Sequence, residues 1–171
     1  MSELDHNPAG TLILICGLPG SGKTTLAKRI EAERRAIRLC ADEWIEAILD
    51  DPEDNEERDR LRDPVENLQW DLARTYLQKG LTVILENGFW AEEERSLYAM
   101  GAIELGARIE ICHMEASSFE ELWLRVSDRN SQLETQTFRM TEEELRSAFG
   151  QFEPPSEEEM RFYDEWTESW H

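Results

Sequence analysis

The sequence predicts an α/β fold: a mostly parallel sheet of four or five strands with helices on both faces. Three observations carry that expectation. Short apolar runs of strand length alternate with longer segments whose apolar residues recur at helical spacing. A glycine-rich turn ends the first run and opens the first helical segment. No internal repeat, low-complexity linker or Ser/Gly/Pro run divides the 171 residues, so one domain over 1–171 is expected. Strands joined through helices pair in parallel by right-handed crossovers.

Taken in order, residues 11–16 (Thr-Leu-Ile-Leu-Ile-Cys) form a buried strand run, and 23–35 read as a helix with Leu26 and Ile30 inward. Residues 37–41 are a second strand, and a helix over 42–49 carries Trp44, Ile45, Ile48 and Leu49. Residues 50–60 are crowded with acids around Pro52 and read as a solvated connection. Val65, Leu68, Leu72 and Tyr76 then keep helical spacing up to Lys79-Gly80, a normal helix stop. A third strand over 81–86, a helix over 91–105 and a fourth strand over 107–114 follow. Phe119, Leu122, Trp123 and Val126 define the next helix.

Three glutamate triplets, at 92–94, 142–144 and 157–159, fall in expected first turns, where carboxylates meet the positive end of the helix dipole. Thr141 and Ser156 precede two of them at capping-box spacing. Helix capping is therefore favoured over metal binding. The last triplet predicts a helix over about 157–170, with Met160, Tyr163, Trp166 and Trp170 on one side, and leaves no clear fifth strand.

A net charge of −20, from 38 Asp+Glu against 18 Lys+Arg, repels phosphate backbones and anionic lipid, so a nucleic-acid partner is disfavoured. The apolar run from Leu12 to Leu18 is far too short to span a bilayer, and the acidic N-terminus lacks the pattern of a secretory signal. Cys16, Cys40 and Cys112 have no metal-ligand spacing and read as buried thiols of a cytoplasmic protein.

The chemistry concentrates in Gly17-Leu18-Pro19-Gly20-Ser21-Gly22-Lys23-Thr24, two glycines four apart followed by Lys and Thr. Successive backbone N–H groups that must point at one phosphate need glycines where side chains do not fit. The helix opening at Lys23, with Thr24 and Thr25 in its first turn, aims its amides at the same anion. In such a loop Lys23 reaches the β- and γ-phosphates and the Thr24 hydroxyl takes a Mg²⁺ position. Nucleotide binding, with ATP and Mg²⁺ as cofactors, is the expectation. Acids at the other strand ends face the same crevice. Asp42 is placed to accept a proton or hold Mg²⁺, with helix capping as the alternative; Glu86 reads equally as a metal-site residue or a plain strand-end carboxylate.

Those segments, together with Asp42-Glu43-Trp44, Leu85-Glu86-Asn87-Gly88, Trp123-Leu124-Arg125-Val126 to Arg129-Asn130, Thr137-Phe138-Arg139-Met140-Thr141 and Phe152-Glu153-Pro154-Pro155, resemble small P-loop kinases. The similar families are the AAA-type predicted kinases, chloramphenicol phosphotransferase, the kinase domain of polynucleotide kinase and the zeta-type toxin kinases. The resemblance implies a P-loop NTPase fold, a nucleoside-monophosphate-kinase-like three-layer sandwich with a lid at about 125–142. It places Asp42 as general base and Arg125 and Arg129 on the lid against phosphates or adenine, with Arg139 a further candidate. Arginine suits that role because its planar fork binds phosphate bidentately and its face stacks on rings.

Two departures matter. Glu86 stands where Asp is more usual, and Ile45 stands where polynucleotide kinases often carry Arg, which weakens a 5′-hydroxyl nucleic-acid kinase reading. The expected activity is ATP-dependent phosphorylation of a hydroxyl on a small molecule; a switch or NTPase without acceptor is the other alternative. Acceptor contacts are expected from Asp42, Trp44, Glu86, Asn87, Phe89 and Trp90, the aromatics serving as a stacking wall or as core against Trp70. Arg58, Arg60 and Arg62 either cover the acceptor or balance nearby acids.

Overall fold

The computed structural model describes residues 10–132 and 139–168, with the backbone alone for 164–168. The sheet is built on β1 (Thr11–Cys16), whose residues Leu12 to Cys16 are fully buried. Alternation sorts them into two layers. Leu12, Leu14 and Cys16 face one side, packing with Ala73, Leu77, Ala99, Ala102 and Tyr163. Ile13 and Ile15 face the other, with Ala27 and Ile30 of α1 (Lys23–Arg34).

β2 (Ile37–Leu39), β3 (Thr82–Gly88) and β4 (Arg108–His113) complete a four-stranded sheet among the described residues, all parallel, in the order β2-β3-β1-β4. The chain runs from β1 outward to β2, back to β3, then across to β4. The connection therefore changes side at β1, where α/β sheets bind ligands at strand carboxyl ends. Pairing of β1 with β3 slips here: Leu14 lies opposite Leu85, yet Cys16 lies opposite Gly88. The extra residue of β3 falls at Glu86 and Asn87, and a bulge of this kind redirects side chains next to the switch point.

The helices are α2 (Ala41–Ile48), α3 (Asn55–Leu77), α4 (Glu92–Glu104), α5 (Phe119–Gln132), α6 (Glu142–Gln151) and α7 (Glu157–Glu168). All three glutamate triplets occupy first turns, and Thr141 with Glu144 completes a capping box. Ser156 caps α7 by accepting from the Glu159 N–H, but the Glu159 carboxylate goes to Arg95 instead.

The acidic segment departs from expectation. It becomes helix at Asn55, because the Asp54 carboxylate accepts from the Glu57 N–H at 2.9 Å and Glu56 and Glu57 suit a first turn. The inward row of α3 is Val65, Gln69, Ala73 and Leu77, one residue off the row read from Leu68, Leu72 and Tyr76; Leu68 is half exposed. A buried glutamine broke the apolar pattern that the sequence reading followed. β2 is also shorter than expected, since residue 41 already belongs to α2.

The segment expected as a lid comprises the second half of α5, residues 133–138 outside the described part, and the approach to α6. Asn130 Nδ2 donates to the Met140 carbonyl at 2.7 Å and ties these ends together. Val126 and Leu122 of α5 and Leu145 and Ala148 of α6 pack on Leu18 of the glycine-rich loop. Tyr163 of α7 is buried in the sheet core and Met160 is half-buried; the Trp166 and Trp170 side chains lie outside the described residues. No described helix is long and apolar enough to cross a membrane.

Candidate active site

The loop between β1 and α1 takes shape from its glycines. Gly22 sits at φ 96° as the N-cap of α1, a left-handed conformation open to glycine. No side chain caps α1 and no acid occupies its first turn, so the amides there remain turned toward an anion. Gly20, at φ 80°, abuts α5: a Cβ there would meet Val126 Cγ2 at 2.9 Å and the Leu122 carbonyl at 3.2 Å. Gly17 N–H donates to the Gly88 carbonyl at 3.1 Å, anchoring the loop to the end of β3. Pro19 and Ser21 complete the turn, and Ser21 N–H donates to the Leu18 carbonyl at 3.1 Å.

Lys23 Nζ donates to the Leu18 carbonyl at 2.8 Å. Burial lowers its pKa to about 8, against the pull of the Glu86 and Asp42 charges, while the positive charge of Arg129 pushes the same way as burial. Lys23, Asp42, Glu86 and Arg129 therefore share one electrostatic neighbourhood. An ammonium whose loss of hydration outweighs its nearby carboxylates has much to gain from phosphate oxygens.

The Thr24 hydroxyl donates to Glu86 Oε1, while Glu86 Oε2 accepts from Arg38 Nη1 at 2.9 Å. Arg38 also holds Glu43, at 2.7 and 2.8 Å, and Glu31 at 3.4 Å. Burial works against its charge, but the bonds and charges of Glu43 and Glu86 outweigh it and push its pKa further up. The sequence reading missed Arg38, whose signal was a cation between Ile37 and Leu39 in a strand. Thr25 lies exposed one residue beyond Thr24.

Asp42 lies in the first turn of α2, not at its cap, which is Cys40. Its carboxylate is 60% exposed and accepts from Arg62 Nη2 at 2.7 Å, and Arg62 Nη1 reaches Glu66 at 3.3 Å. The capping alternative for Asp42 is thereby removed.

The other expected residues divide. Phe89 turns into the core and is fully buried, its ring 5.2 Å from Tyr98 and edge-on; it offers no stacking face to a ligand. Trp44 is half-buried between the sheet core and the cluster of Ala41, Ile45 and Val65. Trp90 packs with Leu18, its indole nitrogen close over Gly88. Arg125 spends its guanidinium on Glu121 along α5, although its Cβ lies beside Gly20. Arg60 pairs with Glu57. All three cysteines are raised by burial, Cys16 to about 12 and Cys40 to about 11, so none is a ready thiolate.

Residues 12–155 match the family described as an AAA domain. The chain belongs to that family. A candidate kinase from Chloroflexus aurantiacus shares the fold at 27% identity and a TM-score of 0.61, over 74% of this chain and 69% of that one. A chain of the Pnkp1/Rnl/Hen1 RNA repair complex aligns at 17% identity and a TM-score of 0.67, covering 96% of this chain but only 48% of its own length. The APS kinase CysC of Mycobacterium tuberculosis, solved with AMPPNP and APS, aligns at 17% identity and a TM-score of 0.52, over 78% and 82%. No curated protein sequence matches. This AAA-domain chain thus has the α/β architecture of P-loop kinases, and the resemblance read from residues 17–24 and the later motifs stands at the level of family and fold.

Proposed function

We propose that this protein transfers the γ-phosphoryl group of ATP to a hydroxyl of a small molecule. The observation that supports the reading best is Asp42 itself: exposed and bonded to Arg62, yet near enough to Lys23 for its charge to act on it. The loop amides and Lys23 hold the phosphates, and Arg129 sets its positive charge against the negative charge of the transferred group. Asp42 orients the acceptor hydroxyl and takes its proton as the new oxygen–phosphorus bond forms and the bond to ADP breaks.

Thr24 and Glu86 fit a hard divalent cation: a hydroxyl and a carboxylate side by side at the strand ends, a donor set suited to an ion that keeps several waters. Mg²⁺ bound there would neutralise phosphate charge. Among the described residues no three His, Cys, Asp or Glu side chains converge on a metal, which suits an ion brought in with its nucleotide rather than a resident one.

A screen for ADP release across hydroxylated small molecules tests the reading. Lys23→Ala is expected to abolish nucleotide binding or turnover. Asp42→Asn is expected to keep ATP affinity and slow transfer by roughly 10²- to 10⁴-fold, the range for a positioned base. Equal loss of ATP binding and transfer in Asp42→Asn would make it a binding or folding residue and overturn the assignment. The likeness to the RNA repair chain earns 5′-hydroxyl oligonucleotides a place in the screen, where the charge of −20 predicts no turnover.

A further inference from the structure

Beyond Asp42, a polar cluster lies between α3, α4 and the bulged end of β3; Asn87 and Arg62 were expected near the acceptor, while Glu66, Gln69, Glu94 and Tyr98 have no part in the site above. Arg62 and Glu66 stand one turn apart on α3, with Gln69 three residues further and therefore on a neighbouring position of the same helix. Glu94 and Tyr98 stand one turn apart on α4. Trp70 and Tyr98 join the helices, ring centroids 5.0 Å apart. The Tyr98 hydroxyl lies beside the Asn87 amide and within the fields of Glu66, Glu94 and Asp63.

Hydrogen-bond accounting sets this cluster apart. Among the described residues, both polar atoms of the Asn87 amide and both of the Gln69 amide are buried without a hydrogen bond of ordinary geometry, and Gln69 is wholly buried. Native proteins leave few such atoms, each at about 1–3 kcal/mol, and a group of them calls for a partner. Glu66 points the same way: burial, with Glu94 and Asp63 nearby, raises its pKa to about 6 despite its bond to Arg62. Burial likewise raises Glu94.

We propose that this cluster is the acceptor subsite, and that it takes a hydroxyl-rich molecule, neutral or amine-bearing, whose donors meet Glu66, Glu94 and the Asn87 amide. The inference rests on the phosphotransfer reading and adds the substrate class. Its orientation follows from the chain of contacts Asp42–Arg62–Glu66, which leads from the expected base to the cluster and is most exposed at the Asp42 end. Its selectivity follows from the donor count. Asp42, Asp63, Glu66 and Glu94 are acceptors; the Arg62 guanidinium is already shared between two carboxylates, and Arg95, whose charge also reaches Glu94, is spent on Glu159 and two carbonyls. A phosphorylated or carboxylated acceptor would enter against that field. Hydroxyl or ammonium donors would complete it.

The test uses the full chain with ATP and Mg²⁺ and a matched probe set. The first group is myo-inositol, glucose, glucosamine and 2-deoxystreptamine; the second is gluconate and glucose 6-phosphate. At least one member of the first group is expected to bind saturably by calorimetry and to drive ADP release, and neither anion is. For that acceptor, Glu94→Gln and Asn87→Ala are each expected to raise KM about tenfold or more, the effect of losing a hydrogen bond to a charged or buried group, with ATP affinity unchanged. Glu94→Gln is nearly isosteric and keeps an acceptor for the Trp90 N–H, so it reports even if the strand variant folds poorly.

Preference for an anionic probe, or no binding of any first-group probe to ATP-loaded protein, overturns the proposal. So does an unmoved KM in both variants, which would mean that the amides serve only buried water. Failure of the wild-type chain to bind ATP, or full turnover in Lys23→Ala, would instead remove the phosphotransfer reading beneath it.

Discussion

Glu94 and Arg95 are consecutive residues on α4, and they open onto opposite kinds of polar environment. On one side Arg95 is fully buried and fully used. It donates to both Glu159 oxygens at 2.6 and 2.8 Å, and to the carbonyls of Phe89 and Glu153 at 3.0 and 2.9 Å. Tyr163 adds a further donor to Glu159 at 3.3 Å. On the other side, among the described residues, Glu94 accepts only from backbone N–H at the start of its own helix, from Trp90 at 3.1 Å. Its charge acts on Glu66 and on Tyr98, whose hydroxyl lies beside an Asn87 amide without hydrogen bonds of ordinary geometry. A satisfied buried network fixes structure; one short of donors is held in place by the rest of the fold and fits a ligand. The two are linked, because the Arg95 clasp holds the carbonyl of Phe89, a non-glycine residue at φ 46° two positions beyond Asn87. The satisfied side builds the turn that presents the unsatisfied one.

The comparison breaks most visibly at Arg95. Arg95→Met strands the Glu159 carboxylate among buried groups and frees two carbonyls, so a stability loss of about 3–5 kcal/mol is expected in denaturant unfolding. Loss of less than about 1 kcal/mol would mean that the clasp is not what fixes this turn. A smaller change of opposite sign is expected at Glu66, whose side chain is 15% exposed. Its pKa is about 6 in the folded chain against 4.5 ordinarily, so the native state holds its proton more tightly. The associated stability is present below pH 4.5 and lost as pH rises through about 6, a penalty of roughly 2 kcal/mol at neutral pH. Glu66→Gln should therefore stabilise the protein by about 1–2 kcal/mol at pH 7 and hardly at all at pH 4, while weakening acceptor use. Destabilisation at pH 7 would place Glu66 in the same structural class as Glu159.

What the sequence made legible was local. The nucleotide loop announced itself because its glycines, lysine and threonine must be contiguous to surround one phosphate. The glutamate triplets were readable as first turns because capping acts over three or four residues. The clasp was not readable: Arg95 and Glu159 lie 64 residues apart and meet only once α7 docks. The inward face of α3 was legible only in part: Val65 is buried and Leu72 and Tyr76 pack on the core, but Leu68 is exposed and Gln69 occupies a core position that a purely structural helix would give to an apolar residue. Phe89 read as either a substrate wall or core by its place after Glu-Asn-Gly, and the left-handed turn at Gly88 and Phe89 decides for core. Asn87 was flagged by position alone. Its buried amide, set beside Tyr98 without a hydrogen bond of ordinary geometry, needed the bulge in β3, which no periodicity reveals.

The smallest effect is expected where an arginine pair has neither burial nor a network. Arg146 donates to Glu142 one turn away at 2.8 Å, and its guanidinium carbon lies 4.1 Å from the centroid of the Phe119 ring. On paper it makes an ion pair and a ring contact, close to the inventory that makes Arg95 important. Both charged side chains are half exposed or more, so water competes for each interaction. Exposed helix pairs contribute about 0.3–0.5 kcal/mol and an exposed cation–π contact about 0.5–1. Arg146→Ala should thus lower stability by about 1.5 kcal/mol at most, with ATP binding and acceptor KM unchanged. A loss approaching that of Arg95→Met would show that the count of contacts, rather than their removal from water, sets the worth of an arginine in this protein.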